Sequence, residues 1–523
     1  MSRSGPDVRR RGPDVLDGPR QGGEAAGSGG AGSVSFDAVV DSDGVARASR
    51  HTVLAQLATQ TSRLAVNVIL ARLLTPSDFG VVAAAMVVMV VVWQLTDLGT
   101  SAVIIQRDDI DDVLVSSLFY ANVLLGAGLC AAMITGAGPL ADLLGQPAAA
   151  PAIQVLASVG LLGALGNMHH ALLRRTMQFG RLATINIANA LVTGLVGISL
   201  AVAGAGIWAL VAGTVAGVAV STVAAWAYQP WRPSATFSPR RLRAVARFSI
   251  HFFYSSALAV GFAQLDKVII SRLLGGTALG TYTVAQRTVT SPINTVSEAV
   301  STVSFSAFAR DQNNVEALRS GASRAAGVVA LIVLPSMFGL AVLAEDAVAV
   351  VYGPGWEAAI PVIQVLAPLA ALQAISRVTA SVMLAMGRSD WLYRWALAYC
   401  LAGAAVMVVS SQWGLVGVSL GLAVVVVVLT PFEMMMALGL IEMRLSTYLR
   451  PLLPHAVISA VMAIAAWLAA ALADHLGTGS ALQLLAGVAT GGAVHVALMW
   501  RARLPAMDDA RRVAGRWAVR SSR

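Results

Sequence analysis

Fourteen long apolar stretches follow one another between residues 51 and 501, and they constrain the fold of this chain more than any other feature. Each is close to the roughly 20 apolar residues that a helix needs to cross the hydrocarbon core of a bilayer. Only 12% of the 523 residues are charged, about half the share usual in soluble proteins. The pattern therefore predicts an all-α integral membrane protein with about 14 transmembrane helices. They begin near residues 51, 80, 113, 152, 180, 206, 246, 279, 324, 360, 390, 413, 452 and 480.

Arginine is distributed unequally between the loops that join these stretches. Loops after even-numbered stretches are basic, for example the one with Arg174, Arg175 and Arg181, whereas loops such as "DHLGTGS" carry no Arg or Lys. Because Lys and Arg collect on the cytoplasmic side, we expect both termini to be cytoplasmic. Attraction to the anionic inner leaflet also accounts for the net charge of +9, so no nucleic-acid partner is needed. Membrane lipids are the expected partners of these loops.

Short segments recur at a nearly constant separation. "LARLLTPSDFG" at 70–80 returns as "ISRLLGGTALG" at 270–280, and "PAIQVLA" at 151–157 returns as "PVIQVLA" at 361–367. "WALVAG" at 208 has a weaker echo in "WGLVGV" at 413. These offsets superimpose the first six stretches on the next six, and an even number keeps their orientation, which predicts two parallel-repeat six-helix lobes. The predicted domains are a disordered cytoplasmic tail (1–50), an N-terminal lobe (51–229), a basic cytoplasmic linker (230–245), a C-terminal lobe (246–437), two additional transmembrane helices (452–501) and a basic tail (502–523).

Two like-oriented lobes with a cavity between them are typical of transporters, whose substrate sites lie at the repeat interface. Charged side chains inside a span are costly and tend to face such a cavity. Polar residues at helical spacing therefore predict a cationic binding cavity formed by Gln60, Arg63, Asn67, Lys267, Arg287, Asn294 and Arg377. Three acids are expected to pair with these cations or to bind a coupling cation, H⁺ or Na⁺, namely Asp97, Asp266 and Glu298. The alternative is that these residues only form internal salt bridges and hydrogen bonds between helices.

Lys267 is the only lysine in the chain and follows Asp266 directly. Adjacent helical residues point about 100° apart, so we expect the two not simply to pair with each other. A lone lysine in the sequence Leu-Asp-Lys-Val also excludes a P-loop for ATP.

Other chemistries have little support in the sequence. Cys130 and Cys400 fit neither a disulfide framework nor metal-ligand spacing. "RDDIDDV" at 107–113 contains the Asp-x-Asp of some glycosyltransferases, but no soluble nucleotide-binding domain surrounds it, and acids favour a helix start. We therefore expect neither an enzyme nor a bound cofactor or metal.

The residues "LARLLTPSDFGVVAAAMVV", "LTDLGTSAVIIQRDDI" and "LDKVIISRLLGGTALGTYTVAQR" resemble the bacterial polysaccharide and lipopolysaccharide exporters. These belong to the multidrug/oligosaccharidyl-lipid/polysaccharide exporter superfamily. The resemblance covers about residues 50–445 and implies a flippase in the bacterial cytoplasmic membrane. It implies that undecaprenyl-diphosphate-linked oligosaccharides are moved to the outer leaflet by alternating access, for cell-surface polysaccharide or lipopolysaccharide biosynthesis. Glycan-assembly enzymes are further expected partners. Two other functions stay open: a cation-coupled exporter of drugs or small amphiphiles, and a non-transporting scaffold of a glycan-assembly complex.

Overall fold

The computed structural model describes residues 59–60, 62–97, 100–106, 110–243, 260–261, 263–310, 312 and 314–502, although the side chains of 97, 102, 106, 294–299, 301–303 and 305–307 are not described. Every regular element in these ranges is helical. The α-helices are α1 (62–73), α2 (Pro76–Asp97), α3 (Thr100–Gln106), α4 (Asp112–Leu143), α5 (Ala150–Arg175), α6 (Phe179–Val202), α7 (Ile207–Tyr228), α8 (265–274) and α9 (276–310), which are the two parts of Leu265–Arg310 on either side of Gly275, α10 (Val315–Val342), α11 (Ala344–Val351), α12 (Ala359–Ala385), α13 (Ser389–Ser410), α14 (Gly414–Gly439), α15 (Leu445–Leu449), α16 (Leu453–His475) and α17 (Ser480–Ala502).

Eleven segments within the described ranges are long and apolar enough to cross a membrane. One of them, Ser389–Gly439, contains two helices, α13 and α14. The stretches predicted to begin near 51 and 246 start outside the described residues. An all-helical membrane protein is thus confirmed, whereas the total of fourteen spans stays a prediction. The two tails, 1–50 and most of 502–523, also lie outside the described residues.

The two repeated segments at 70–80 and 270–280 each form the turn of a helical hairpin, built from different residues. Between α1 and α2, Thr75 and Asp78 cap the helix reciprocally: the Thr75 N–H donates to Asp78 Oδ2 (3.0 Å) and the Asp78 N–H donates to Thr75 Oγ1 (3.2 Å). Between α8 and α9, Gly275 breaks the helix with φ 86° and ψ 177°, a conformation that only glycine adopts readily. The two hairpin turns therefore lie at equivalent positions of the two repeated segments.

Among the described residues, each of the two predicted lobes has one central helix. In the first, α5 packs against α2, α4 and α7. In the second, α12 packs against the Leu265–Arg310 hairpin, α10 and α14. Helix α16 packs on α10, and α17 packs on α16 and α11, so the two additional helices lie against the second set. Superposition of the two lobes stays a prediction.

The main contact between the two sets is the crossing of α2 and α9 near their first turns. A Cβ added at Gly80 would collide with the carbonyl oxygen of Gly276, and a Cβ added at Gly280 would collide with that of Pro76. Residue 80 therefore meets 276 while 280 meets 76, which is the reciprocal pattern of a two-fold contact with the repeat offset of 200. The absence of side chains at both glycines lets the two backbones touch.

Side chains from both halves close this end of the molecule further. The indole N–H of Trp356 donates to the carbonyl oxygen of Ala71 (2.9 Å), and Ser271 Oγ donates to that of Leu144 (2.8 Å). Trp356 also packs edge-to-face on Phe79, with ring centroids 5.4 Å apart. Trp356, Ala71 and Ser271 are each buried to 2% exposure or less. The repeated segments thus form a closed junction between the lobes.

Candidate substrate cavity

A hydrogen bond joins the two lobes at the predicted polar cavity. Arg287, on α9, donates through NH1 to Oδ1 of Asn67 on α1 over 3.2 Å. The Arg287 side chain is exposed, although many protein atoms lie around it. An exposed guanidinium with protein around it is typical of a position that lines a concave surface. The structure thus places two of the predicted residues together across the lobe interface.

The remaining polar residues of the first stretch follow Asn67 down one helix. The Asn67 amide donates to the backbone oxygen of Arg63, one turn earlier, over 2.8 Å. The Arg63 side chain is exposed, and Gln60 is half-buried. Asn67 rather than Arg63 therefore contacts Arg287, and the expected facing of the two arginines stays a prediction.

Arg377 lies on the central helix of the second lobe. Its side chain is exposed although its neighbours Ser376 and Val378 are 4% and 1% exposed. It is eight residues before the end of α12, or about 12 Å at 1.5 Å per residue. An exposed arginine at that depth is consistent with a cavity-lining position.

Three predicted residues cannot be placed by their side chains. Asp97 ends α2, and Asn294 and Glu298 belong to α9, but their side chains lie outside the described set. Their predicted cavity roles stay untested.

The expectation that Asp266 and Lys267 do not pair with each other is wrong. Lys267 Nζ lies 3.4 Å from Asp266 Oδ1, and the Lys267 backbone N–H donates to the same oxygen over 2.8 Å. Asp266 stands in the first turn of its helix, so its carboxylate folds back over the exposed N–H groups and the long lysine stem reaches it. The other oxygen, Oδ2, accepts from the Tyr282 hydroxyl (3.0 Å) and the Gln286 amide (3.1 Å).

The Asp266 carboxylate and its partners Tyr282 and Gln286 border a cavity of about 210 Å³ inside the second lobe. The cavity lies between the α8–α9 hairpin, α12, α13 and α14. Its polar wall includes Asp266, Tyr282 and Gln286, with Gln373 donating to the Tyr399 hydroxyl across 3.1 Å. Pockets for drug-sized ligands are usually about 300–1,000 Å³. This cavity is therefore too small for a lipid-linked glycan and suits water or a small cation.

Sequence reasoning missed Glu433, which is the only charged residue of α14. The half-buried carboxylate accepts a hydrogen bond from Ser376 Oγ over 3.1 Å. A lone acid in an apolar run of 26 residues was a usable signal. Tyr282 and Gln286 were also missed, and their spacing of four residues places both on one helix face toward Asp266.

The acids of "RDDIDDV" start a helix, as expected. Asp111 is the N-cap of α4, its side chain accepting from the Leu114 N–H over 2.9 Å, and it pairs with Arg241 at 2.8 Å. Asp112 accepts from the Trp231 indole over 2.9 Å. Two acids of the motif therefore hold the inter-lobe linker against α4. Within the described ranges no group of His, Cys, Asp and Glu could hold a metal ion.

The eleven apolar helical segments of the described ranges are typical of a multi-pass membrane protein. Comparison with solved structures agrees: the lipid II flippase MurJ in an inward closed conformation matches with a TM-score of 0.71 at 13% identity, covering 86% of this chain and 97% of that one. An inward-facing MATE multidrug resistance transporter of the MOP superfamily matches with a TM-score of 0.59 at 17% identity, covering 73% and 94%. Identities this low establish the fold alone.

The sequence comparisons are more specific. Residues 69–361 match the family described as "Polysaccharide biosynthesis protein", and because the match spans more than half of the chain, the protein belongs to that family. It is similar to the succinoglycan biosynthesis transport protein ExoT of Rhizobium meliloti (29% identity, covering 88% of this chain and 93% of ExoT). It is also similar to the teichuronic acid biosynthesis protein TuaB of Bacillus subtilis (26%; 78% and 85%) and the lipopolysaccharide biosynthesis protein WzxC of Escherichia coli (26%; 69% and 74%). The chain is a multi-pass bacterial inner-membrane protein of the polysaccharide transport and flippase class.

Proposed function

We propose that this protein moves undecaprenyl-diphosphate-linked oligosaccharides across the cytoplasmic membrane by alternating access, for cell-surface polysaccharide synthesis, with both termini in the cytoplasm. Membership of a polysaccharide biosynthesis family and relatives named for succinoglycan, teichuronic acid and lipopolysaccharide support the substrate class. The observation that carries the proposal is the Arg287–Asn67 bond between the lobes, whose guanidinium is exposed.

Arg287 suits the diphosphate of such a lipid. It is eleven residues beyond residue 276, where α9 begins, or about 16 Å along the helix axis, which is near the middle of a hydrocarbon core about 30 Å thick. A guanidinium presents a planar fork of donors that matches phosphate oxygens. Asn67 is a neutral partner, so it orients the guanidinium without neutralising its charge. No carboxylate among the described side chains pairs with Arg287, so a diphosphate that entered the cavity would meet its positive charge.

The closed junction at the repeated segments supplies one gate of the proposed cycle. Besides the glycine crossing, Arg72 donates to the backbone oxygens of Val350 and Val351. These two carbonyls end α11, and a cation is favourable at a helix C-terminus. Breaking this junction would open that side of the cavity, as alternating access requires.

Export assays on arginine variants test the site. Arg287→Ala is expected to reduce lipid-linked glycan in the outer leaflet strongly, and Arg287→Lys to restore part of it, since lysine keeps the charge but loses the fork. Arg63→Ala should add to the loss. Arg501→Ala, an exposed arginine at the end of α17, is the matched control and should export normally. All values are normalised to membrane protein level, and wild-type export by the double Arg63/Arg287 alanine variant would contradict the proposal.

We further infer that coupling uses the small cavity of the second lobe. The Asp266 carboxylate already accepts three side-chain donors, including the Lys267 ammonium. A metal cation would have to displace that ammonium, which carries the same sign of charge and occupies the carboxylate, so we infer H⁺ rather than Na⁺ as the coupling ion. Transport by everted vesicles should therefore depend on the pH gradient rather than on Na⁺, and Asp266→Asn should abolish that dependence. Transport that follows Na⁺ instead would overturn this inference without affecting the substrate proposal.

A further inference from the structure

One turn of the first lobe has a non-glycine residue with positive φ, at a position where the corresponding turn of the second lobe has glycine. Met177 follows α5 with φ 55°, and in the described ranges only Glu442 is another non-glycine residue with positive φ. Its counterpart 210 residues later is Gly387, with φ 72°. A side chain in this left-handed region is strained, and glycine is the usual residue there.

Hydrogen bonds show that the two turns are equivalent. In the first, the Gln178 N–H donates to the Leu173 carbonyl over 2.9 Å, and in the second, the Arg388 N–H donates to the Met383 carbonyl over 2.9 Å. Both bonds span five residues and close the same C-terminal helix cap. Glycine would therefore satisfy the backbone of this turn equally well. We look for the role of the methionine in its side chain and the surroundings of that side chain.

The position of Met177 indicates that contact. It lies between the membrane segments Pro147–Arg175 and Phe179–Val202, hence at the membrane boundary. Its side chain is 72% exposed and Phe179 is 37% exposed. Arg174 and Arg181 flank the turn and are also exposed, with one nitrogen of Arg181 anchored on the Tyr228 carbonyl over 2.8 Å. Apolar side chains beside fixed cations match the apolar edge and the phosphate level of a lipid leaflet.

We propose that the Met177 turn, residues 174–181, binds the anionic phospholipids of the adjacent leaflet. Met177 and Phe179 enter the apolar edge of the leaflet, and Arg174 and Arg181 contact the headgroup phosphate. At the equivalent turn of the second lobe the arginine is already engaged, because Arg388 lies over the Trp391 ring at 3.8 Å and pairs with Asp390 at 3.5 Å. The first lobe is thereby held at the leaflet surface more firmly than the second. This inference is independent of the proposed substrate.

Thermal unfolding of the full chain in nanodiscs tests the proposal. The measured quantity is the increase in melting temperature when phosphatidylglycerol is added to phosphatidylcholine discs. Wild type should show an increase that shrinks at high salt. Met177→Gly should lose roughly half of it, and Arg174→Gln/Arg181→Gln should lose most of it. Met177→Leu and the control Arg388→Gln should keep it.

The phosphatidylcholine measurement separates lipid binding from folding. There Met177→Gly should melt at or above wild type, because glycine relieves the strained φ. The proposal fails if the glycine and double-glutamine variants keep the full increase, or if Arg388→Gln loses as much as they do. It also fails if soluble glycerol phosphate reproduces the increase in phosphatidylcholine discs, since the arginines would then bind a free anion rather than a membrane surface.

Discussion

Adding one methyl group at Gly280 should force the closed junction open. The new Cβ would lie 2.7 Å from the Gly80 nitrogen and would overlap the carbonyl oxygen of Pro76. Both obstacles are backbone, so no rotamer change can relieve them and only separation of α2 from α9 can. Because the lobes meet here, Gly280→Ala penalises the closed state and leaves the open state unaffected.

Two opposing energies determine how far Gly280→Ala shifts the equilibrium between the closed and the open state. Overpacking costs about 1–3 kcal/mol, whereas replacing a helical glycine by alanine gains about 1 kcal/mol. The helix gain applies to open and closed states alike and cancels in their ratio. The overpacking cost falls on the closed state alone and lowers its population relative to the open state about 5- to 150-fold.

Spin labels at Ser77 and Thr277, both exposed, report this equilibrium in a chain with both native cysteines replaced. Pulsed electron resonance should show a longer-distance population in Gly280→Ala, and export should fall if the proposed cycle passes through the closed state. Gly128→Ala is the matched control, since a Cβ there has nothing within 4 Å. Identical distance distributions in the two folded variants would refute the reasoning.

Three further predictions concern topology, pH and the missed acid. A cysteine at Gly353 should react with an impermeant reagent from outside and one at Ser238 should not; labelling of Ser238 would reverse the topology. Burial, helped by two nearby carboxylates, raises the pKa of Asp346, so the folded state loses stability as pH rises through that pKa, and Asp346→Asn should melt higher than wild type at neutral pH but not at low pH. Glu433→Gln keeps an acceptor for Ser376 and removes the charge, so it should fold normally and weaken the pH dependence of transport; unchanged pH dependence would make Glu433 a packing residue.

Hydropathy and turn residues predicted the helices because these are local properties. The predicted starts near 80, 180 and 480 lie within a few residues of α2, α6 and α17, and the repeat placed both hairpin turns at equivalent positions. The start near 324 was late: α10 begins at Val315, because its first turns carry Glu316 and Arg319 and resemble a loop in hydropathy.

The partners of the candidate site could be predicted only in part, since they depend on how the lobes cross. Helical spacing placed Arg63 and Asn67 on one helix face, but it did not predict which of the two contacts Arg287. The pairing of Asp266 with Lys267 was missed because the prediction used only the angle between the two Cβ directions. The lysine side chain is long enough to bend back over the start of its own helix and reach the carboxylate. One signal for the lobe crossing was present: Gly276 and Gly280 form the Gly-x-x-x-Gly pattern that lets membrane helices approach closely.

The reciprocal crossing also explains why one chain contains the same segment twice. A two-fold contact needs both partners to present the same surface, so Gly80 and Gly280 each have to lack a side chain for the backbones to meet. The groups proposed to bind substrate and to couple transport face no such requirement: Arg287 meets an amide across the interface, and Asp266 borders a cavity inside the second lobe. A symmetric junction combined with an asymmetric interior is what a transporter for a polar-headed lipid requires, because the junction only opens and closes while the interior must distinguish one end of its substrate. Gly80→Ala should accordingly open the junction as Gly280→Ala does, whereas exchanging Arg287 and Asn67 should not preserve export.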